Sequence, residues 1–218
     1  MTSVKATRAA VSARRKPTQK RAKERVEKIL ATASEMISET GSDAVRMTEL
    51  AARASVPIGS LYQYFPDKAA ILRTLAVRFM ETTREMLVAL VDDIKTAENA
   101  LANVDFAIDG YYATILNEPV IRDVWSGTQS DKVLQALDIE DSRENGRIFY
   151  EGLKRFVDPS EHTRFEAACF LIMQMAGAAT RLAIAVEKEE GDLLMTEFRR
   201  LVQTELEAFM ARGPKGKD

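Results

Sequence analysis

Cysteine and histidine are nearly absent from this 218-residue sequence, which contains one of each, Cys169 and His162. A single thiol cannot form an intramolecular disulfide, and two such side chains are too few for a multi-cysteine zinc site. With one cysteine and one histidine, the chain has few side chains that could act in nucleophilic catalysis. The low cysteine content also suits a reducing cytoplasm. We expect Cys169 to be a small core residue, His162 to be exposed, and the protein to have no metal and no cofactor.

Glycine and proline are also scarce, with ten and six residues. Between these breakers, apolar residues recur at helical spacing, as Val26, Ile29, Ala33 and Ile37 do. No segment repeats with a period of about 20–50 residues. The pattern predicts an all-α protein, and an apolar share of 46% is sufficient for a core.

Capping residues and breakers set the expected helix boundaries. Gly41 terminates the first helix, and Asp67 is a good N-cap for the fourth. Pro119 opens a later helix, whereas the run Asp158-Pro159-Ser160 interrupts the pattern. The predicted helices are residues 20–41, 47–54, 58–64, 67–94, 103–117, 119–127, 141–156, 160–187 and 193–211, with a loop at 126–132.

Positive charge is concentrated at the front of the chain. Residues 1–78 contain fifteen Lys and Arg against seven Asp and Glu, a net charge of +8, and the remainder carries −10. A basic N-terminal part joined to an acidic remainder fits a protein that binds a polyanion through its N-terminal part. A basic tail that only aids solubility is the alternative.

The short helices at 47–54 and 58–64 are separated by a tight turn and follow a longer helix, which is the arrangement of a helix-turn-helix. The amino end of the second short helix must then enter the major groove, so its side chains must be small or polar. Ile58, Gly59 and Ser60 lie there, and Gly59 permits close approach of the backbone. The sequence therefore predicts a DNA-binding motif at residues 46–65.

The segment MTELAARASVPIGSLYQYFPDK at residues 47–68 resembles the DNA-binding domain of the TetR family. The run Leu61-Tyr62-x-Tyr64-Phe65-x-x-Lys68 is its most specific part, and the resemblance covers roughly residues 20–80. It implies a homodimeric repressor that binds double-stranded DNA at a near-palindromic operator and releases it when a small molecule binds. The domains expected are a flexible basic arm at 1–19, a DNA-binding domain at 20–80, and an effector-binding and dimerisation domain at 81–218.

Individual DNA contacts also follow from the resemblance. Thr48 lies in the first turn of the preceding helix, another common contact. The residues that fall at base-reading positions are Ile58, Gly59, Ser60 and Gln63, and those that fall at phosphate-binding positions are Tyr62, Tyr64 and Lys68.

Two positions depart from the family pattern. Arg46 stands where a capping Thr or Ser is usual, so a direct contact between Arg46 and DNA can replace the cap. Ser55 stands where glycine is usual in the turn, which implies some backbone strain. For Tyr62, packing between helices with only the hydroxyl exposed is an alternative to phosphate binding.

The arm has two interpretations. Its basic residues can reach an adjacent minor groove and steepen the salt dependence of binding, or they form a solvated tail with weak nonspecific attraction. The basic residues before or at the start of the first helix are Lys5, Arg8, Arg14, Arg15, Lys16, Lys20, Arg21 and Lys23.

The penultimate helix includes residues 167–186, twenty residues with one charge, Arg181. That length could cross a bilayer, but Arg181, Gln174 and flanking charges argue against a membrane span. A helix buried at a subunit interface is the preferred interpretation, with small residues such as Ala176 and Gly177 permitting close approach. We expect residues 160–211 to form a four-helix bundle between two protomers.

The middle helices are expected to hold a mostly apolar cavity with polar anchors, which is typical of small-molecule sites. An ordinary core role is the alternative at each of these positions. The candidate effector-binding residues are Tyr112, Trp125, Phe149, Met173 and Gln174.

Two other classes of protein compete with a regulator. Asp105 and Asp109 lie one helical turn apart, as catalytic carboxylates can, but no His, Lys or Cys partner is placed to complete a catalytic group. The second competing class is a helical ligand-binding or adaptor protein without a DNA role. The run from Tyr62 to Lys68 argues against this class. We therefore expect no enzymatic activity.

Overall fold

The computed structural model describes residues 3–127 and 131–211, with side chains for residues 19–125 and 131–211. Every regular element in these ranges is helical, as the sequence predicts. The α-helices are α1 (Ser3–Thr40), α2 (Met47–Arg53), α3 (Ile58–Tyr64), α4 (Lys68–Asp93), α5 (Ala97–Asn117), α6 (Pro119–Gly127), α7 (Lys132–Leu153), α8 (His162–Ala185) and α9 (Lys188–Met210).

The chain divides into two compact units, residues 1–75 and 76–218. The first unit contains α1, α2, α3 and the first two turns of α4. The second contains the rest of α4 and the helices from α5 to α9. α4 thus contributes residues to both units.

The first unit has an apolar core shared by its helices. Ile29 and Leu30 on α1, Leu50 on α2, Leu61 on α3 and Ile71 on α4 are all fully buried. Full burial of side chains of this size stabilises a fold by about 1.5–3 kcal/mol each. The core therefore fixes the short helices α2 and α3 on the longer α1.

Two predicted helix termini in this unit are confirmed. α1 ends at Gly41, whose φ of 78° lies in the left-handed region that favours glycine. At α4, the Asp67 carboxylate accepts a hydrogen bond from the backbone amide of Ala70 at 2.7 Å. Asp67 is therefore the N-cap expected from the sequence.

Four helices begin earlier than predicted, and one of them is α9, which begins at Lys188 and not at residue 193. α1 begins at Ser3, and ten of the seventeen residues from 3 to 19 are Ala, Lys, Arg or Gln, which favour a helix, although the segment also contains Pro17. The side chains of residues 1–18, which include most of the predicted arm, lie outside the described residues. α5 begins at Ala97, where the Thr96 hydroxyl accepts from the amide of Asn99, so residues 97–102 extend the predicted helix 103–117.

α7 begins at Lys132, nine residues before the predicted start at 141. Asp131 caps it: the carboxylate accepts from the amides of Val133 and Leu134 at 2.8 and 3.2 Å. Residues 128–130 of the predicted loop lie outside the described residues. The longer α7 matters for the site below, because it adds Asp138 to the helix.

In the second unit, α8 approaches its neighbours closely at glycines. A Cβ on Gly146 would lie 2.6 Å from the Phe170 Cα, and one on Gly191 would lie 2.3 Å from the Ala183 carbonyl oxygen. Neither position has room for a side chain. Cys169 is fully buried beside Gly146, as predicted, and burial raises the pKa of its thiol.

Two expectations about α8 are wrong. Ala176 and Gly177 line an internal cavity and Ala183 is buried, so these small residues face the interior of the protomer and not a subunit interface. His162 is half-buried and not exposed, because its Nε2 lies 3.1 Å from the Lys154 carbonyl oxygen and 3.2 Å from that of Val157. The ring therefore satisfies carbonyl groups that the preceding turn leaves free.

Within the described ranges, one segment, Pro159–Ala185, is long and apolar enough to cross a bilayer by length and composition. Its Arg181 lies 3.7 Å from Asp138 of α7, and both side chains are mostly buried. Gln174 donates a hydrogen bond to the same carboxylate at 3.0 Å. Because these polar contacts tie α8 to α7, we interpret it as a helix of a protein core.

Candidate nucleic-acid interface and ligand cavity

The turn between α2 and α3 is closed by two backbone hydrogen bonds. The amide of Val56 donates to the Ala51 carbonyl at 3.0 Å, and that of Ser55 donates to the Ala52 carbonyl at 3.0 Å. This is a Schellman motif, which requires a left-handed residue after the helix. Ser55 has a φ of 52°, so serine adopts the conformation that the family usually gives to glycine.

The turn exposes the amino end of α3. Pro57 is the N-cap, and Ile58, Gly59 and Ser60 form the first turn. Ile58 is 41% exposed, although it is apolar, and a Cβ added to Gly59 would meet no atom within 4 Å. The free backbone amides and the absence of a covering side chain leave this end open to close approach.

The amino end of α2 is exposed as well. Arg46 is its N-cap residue in extended conformation, and its side chain makes no capping hydrogen bond. Both Arg46 and Thr48 are exposed. The Arg46 guanidinium is therefore available for an external partner.

The aromatic residues of α3 differ in exposure. Tyr62 is 48% exposed and Gln63 is exposed, whereas Tyr64 is half-buried. Leu61, which precedes these residues, is fully buried and anchors α3 to the core. Tyr62 is thus not enclosed between helices.

Lys68 has partners within the first unit. Its ammonium donates to the carbonyl oxygens of Ser42 and Asp43 at 2.8 and 3.2 Å. These bonds join the start of α4 to the turn after α1. Since an ammonium has three donors, one remains for a phosphate.

The second unit contains a cavity of about 620 Å³. Sites for small molecules measure about 300–1,000 Å³, so this volume suits such a ligand. Three of the predicted effector-binding residues, Trp125, Phe149 and Met173, line it. These three come from α6, α7 and α8.

The other two predicted effector-binding residues are not among those lining the cavity. Tyr112 directs its hydroxyl to Asp192, donating at 3.2 Å, and Gln174 supports Asp138 from behind. Each residue along a helix is rotated by about 100° from the one before, so the neighbouring Tyr111 lines the cavity where Tyr112 does not.

One end of the cavity is aromatic. The ring of Phe79 packs edge-on against Trp125 with centroids 6.0 Å apart, and lies 6.2 Å from Tyr111. Among the described residues the buried Trp125 Nε1 has no hydrogen-bond partner. Burial raises the pKa of Tyr111, so its phenol stays neutral.

Another wall of the cavity is the polar face of α7. Asp138, Asp141, Ser142 and Asn145 recur at spacings of three and four and all line the cavity. Sequence reasoning singled out none of them, and it left Asp138 outside the helix because it started the helix at residue 141. With the true start, this spacing alone would have placed the four side chains on one face.

The cavity opens between α4 and α5. Of its lining side chains, Met86 on α4 is 58% exposed and Phe106 on α5 is 76% exposed. The lining residues from α7, α8 and α9, by contrast, are buried or half-buried. A ligand would therefore enter past Met86 and Phe106.

The carboxylate pair considered for an enzyme has structural partners. Asp105 accepts a hydrogen bond from Gln203, and Asp109 forms a 2.9 Å ion pair with Arg199, so both join α5 to α9. Burial raises the pKa of Asp105. No group of three or more His, Cys, Asp or Glu side chains in the described part of the chain could hold a metal ion.

Two family models together match most of the chain. Residues 29–75 match the one described as "Bacterial regulatory proteins, tetR family". Residues 98–210, more than half of the chain, match "Tetracyclin repressor-like, C-terminal domain". The two matches fall in the first and the second compact unit, respectively.

A curated relative, the HTH-type transcriptional repressor KstR of Rhodococcus jostii (strain RHA1), is 41% identical over 59 residues. The match spans 27% of this chain and only 28% of that protein.

Solved structures show the same fold. A TetR-family transcriptional regulator from Pectobacterium atrosepticum has a TM-score of 0.66 at 20% identity, over 88% of this chain and 97% of that one. RolR, solved in complex with resorcinol, has a TM-score of 0.60 at 15% identity, over 92% of this chain and all of that one. With the family matches, these similarities lead to one conclusion: the chain belongs to the TetR family of DNA-binding transcriptional regulators.

Proposed function

We propose that this protein is a homodimeric repressor that binds a near-palindromic operator and releases it when a small molecule occupies the cavity of the second unit. The observation that carries the proposal is the open amino end of α3. Gly59 has free space around its Cα, and the apolar Ile58 is exposed beside it. An exposed apolar side chain on an uncovered helix end fits a surface that another molecule covers, here the major groove.

The proposed contacts on DNA fall into two groups. Ile58, Gly59, Ser60 and Gln63 face base edges. Arg46, Thr48, Tyr62, Tyr64 and Lys68 hold phosphates or groove walls. Since Lys68 already binds two carbonyl groups, we assign most of the phosphate attraction to the unpaired Arg46 and to the basic residues at the front of the chain.

The proposed dimer forms through α8 and α9, within residues 160–211. One face of α8 is exposed and wholly apolar. A continuous apolar stripe on the surface of a protomer marks a protein interface. The residues of this stripe, which we call the α8 stripe, are Ala167, Leu171, Met175, Ala178, Leu182 and Ala185.

Dimerisation has a functional reason. Two α3 helices held about 34–36 Å apart match successive major grooves of one DNA face. One short helix makes too few contacts to select a genomic site by itself. A near-palindromic operator follows from the two-fold symmetry of such a dimer.

In this proposal, ligand binding in the cavity is coupled to the spacing of the two α3 helices, and this coupling causes release from DNA. The proposed effector binds preferentially to a conformation in which that spacing no longer matches the grooves. α4 begins in the first unit and lines the cavity with Phe79, Met80 and Leu87, so it is the candidate lever. RolR shows that a protein of this fold binds a small molecule, resorcinol.

A binding titration tests the proposal. The full-length protein is mixed with DNA from upstream of its own gene, and with a scrambled DNA of the same composition, at several salt concentrations. We expect preferential binding to the upstream DNA and a steep loss of affinity with salt. Equal affinity for both DNAs at every salt concentration would indicate a ligand-binding protein with no regulatory site there. A repressor of this kind acts in the cytoplasm, where the chromosome is.

A further inference from the structure

The charged residues that line the cavity are all carboxylates. Asp93 lies at the opening, and Asp138 and Asp141 lie on the α7 wall. No Lys, Arg or His side chain among the described residues lines the cavity. The charged side chains that a ligand inside the cavity would touch are therefore carboxylates.

Two arginines that do not line the cavity hold the wall carboxylates in place. Arg84 binds the Asp141 carboxylate, whose other oxygen accepts from Asn145 at 2.9 Å. Arg181 lies 3.7 Å from Asp138 Oδ2. Each of the two wall carboxylates therefore has one guanidinium partner, and Asp93 at the opening adds a further negative charge to the lining.

One acceptor on this wall is unused. Gln174 and Arg181 both face Asp138 Oδ2, while Oδ1 accepts no hydrogen bond from the described residues. The Tyr111 hydroxyl likewise makes no hydrogen bond in the described part of the chain. Tyr111 and Asp138 both line the cavity, and burial of Tyr111 and then the charge of Asp138 raise the pKa of this phenol.

Aromatic faces complete the site. Phe79, Tyr111 and Trp125 form the neighbouring end of the cavity. Aromatic rings attract an organic cation, and the attraction is stronger where water is excluded. A carboxylate together with aromatic rings can bind a molecule that carries an ammonium group on an apolar chain.

We propose that the effector is a lipophilic amine, which binds as the ammonium ion with its charge at Asp138 Oδ1 and its apolar part among the aromatic rings. The inference rests on the proposed role of this cavity as the effector site. A carboxylate ligand would place like charges together, and a neutral alcohol would donate a hydrogen bond to the carboxylate without the charge–charge attraction of an ammonium.

Three probes of one length test the ligand class on the unmodified dimer: octylammonium, 1-octanol and octanoate. Trp125 is the only tryptophan in the sequence and lines the cavity, so its fluorescence reports occupancy without interference from these transparent probes. We expect octylammonium to bind roughly tenfold more tightly than octanol, since the ammonium adds a charge–charge attraction to the hydrogen bond that either probe donates to the carboxylate. Octanoate should bind more weakly than either. Equal or tighter binding of octanol or octanoate, or no binding of any probe, would overturn the amine assignment.

A charge-neutralising pair of variants locates the ammonium. Asp138→Asn should lower octylammonium affinity by about tenfold and octanol affinity much less, since the amide oxygen of asparagine still accepts a hydrogen bond from the hydroxyl. Glu140→Gln removes a charge from the exposed face of the same helix and should change neither affinity. An equal loss in both variants would overturn the placement at Asp138. Thermal unfolding checks that Asp138→Asn is folded, and the comparison of probes on the unmodified protein does not depend on it.

The same probes separate this inference from the proposed function. If octylammonium binds at the cavity but leaves DNA affinity unchanged, release by ligand is wrong and the ligand class stands. If octanol or octanoate displaces DNA while octylammonium does not, release by ligand stands and the amine assignment is wrong.

Discussion

At the scale of single residues, Gly59 offers the sharpest test of the DNA interface. Gly59→Ala should raise the free energy of unfolding by about 0.5–1 kcal/mol, because alanine favours a helix and its Cβ meets no neighbour. The same methyl group should lower operator affinity at least about tenfold, or ~1.4 kcal/mol, by preventing close approach of the backbone. Chemical denaturation and a DNA titration measure the two effects.

Gly110→Ala is the matched control for Gly59→Ala. Gly110 is also helical and also has open space around its Cα, but it lies in the second unit. Its substitution should stabilise the fold to a similar extent and leave operator affinity unchanged. Unchanged DNA binding by Gly59→Ala would remove Gly59 from the interface.

Ser55 carries a measurable backbone strain. Its φ of 52° costs an L-residue about 1–2 kcal/mol, while glycine pays about 0.5–1 kcal/mol in chain entropy. Ser55→Gly should therefore increase the stability of the first unit by roughly 0.5–1 kcal/mol. Ser34→Gly, within α1, should do the opposite, since glycine is a poor helix former. Urea unfolding followed by circular dichroism compares the two.

The contrast between Lys68 and Ser55 shows what sequence can predict at this scale. The strain at Ser55 could be foreseen, because the turn demands one backbone conformation whatever the side chain is. The partners of Lys68 could not be foreseen, because Ser42 and Asp43 lie 25–26 residues earlier and meet it only in the folded unit. The DNA contacts themselves stay a prediction.

At the scale of helices, the α8 stripe makes a prediction about assembly. Leu171 is 57% exposed in the protomer, so Leu171→Glu should not disturb the core. It would place a charge in the proposed dimer interface, and we expect the protein to become monomeric. Sedimentation velocity measures the change, and operator affinity should fall with it because the two half-sites are no longer linked.

Val133→Glu is the control for Leu171→Glu. Val133 is 50% exposed on α7, outside residues 160–211, and glutamate suits the first turn of a helix. This variant should stay dimeric and bind DNA normally. A dimeric Leu171→Glu protein, or a monomeric Val133→Glu protein, would move the interface away from the α8 stripe.

Helix periodicity predicted the number and order of the elements, but the faces of the helices depended on their termini. α7 was predicted to begin nine residues late, which left Asp138 outside the predicted helix. On α8 the small residues were expected at a subunit interface, yet Gly177 and Ala183 face inward. When a helix is apolar on most sides, its sequence does not predict which side a neighbouring helix will cover.

At the scale of the whole molecule, the division of charge predicts how binding depends on salt. The front of the chain, residues 1–78, carries +8 and the remainder −10. Each phosphate neutralised contributes about −0.9 to the slope of log affinity against log salt. Phosphate contacts from two protomers should therefore give a steep slope, whereas the acidic remainder keeps the rest of the molecule away from the DNA.

The basic residues before position 20 decide how much of that slope comes from the predicted arm. A variant with Lys5, Arg8, Arg14, Arg15 and Lys16 all changed to Gln keeps the chain length and removes five charges per protomer. If the arm contacts phosphates, the slope should become shallower by up to about 4–5 for each protomer, without a change in which DNA is preferred. An unchanged slope would identify the arm as a solvated tail, because only counterions released on binding enter the slope and distant charges release none.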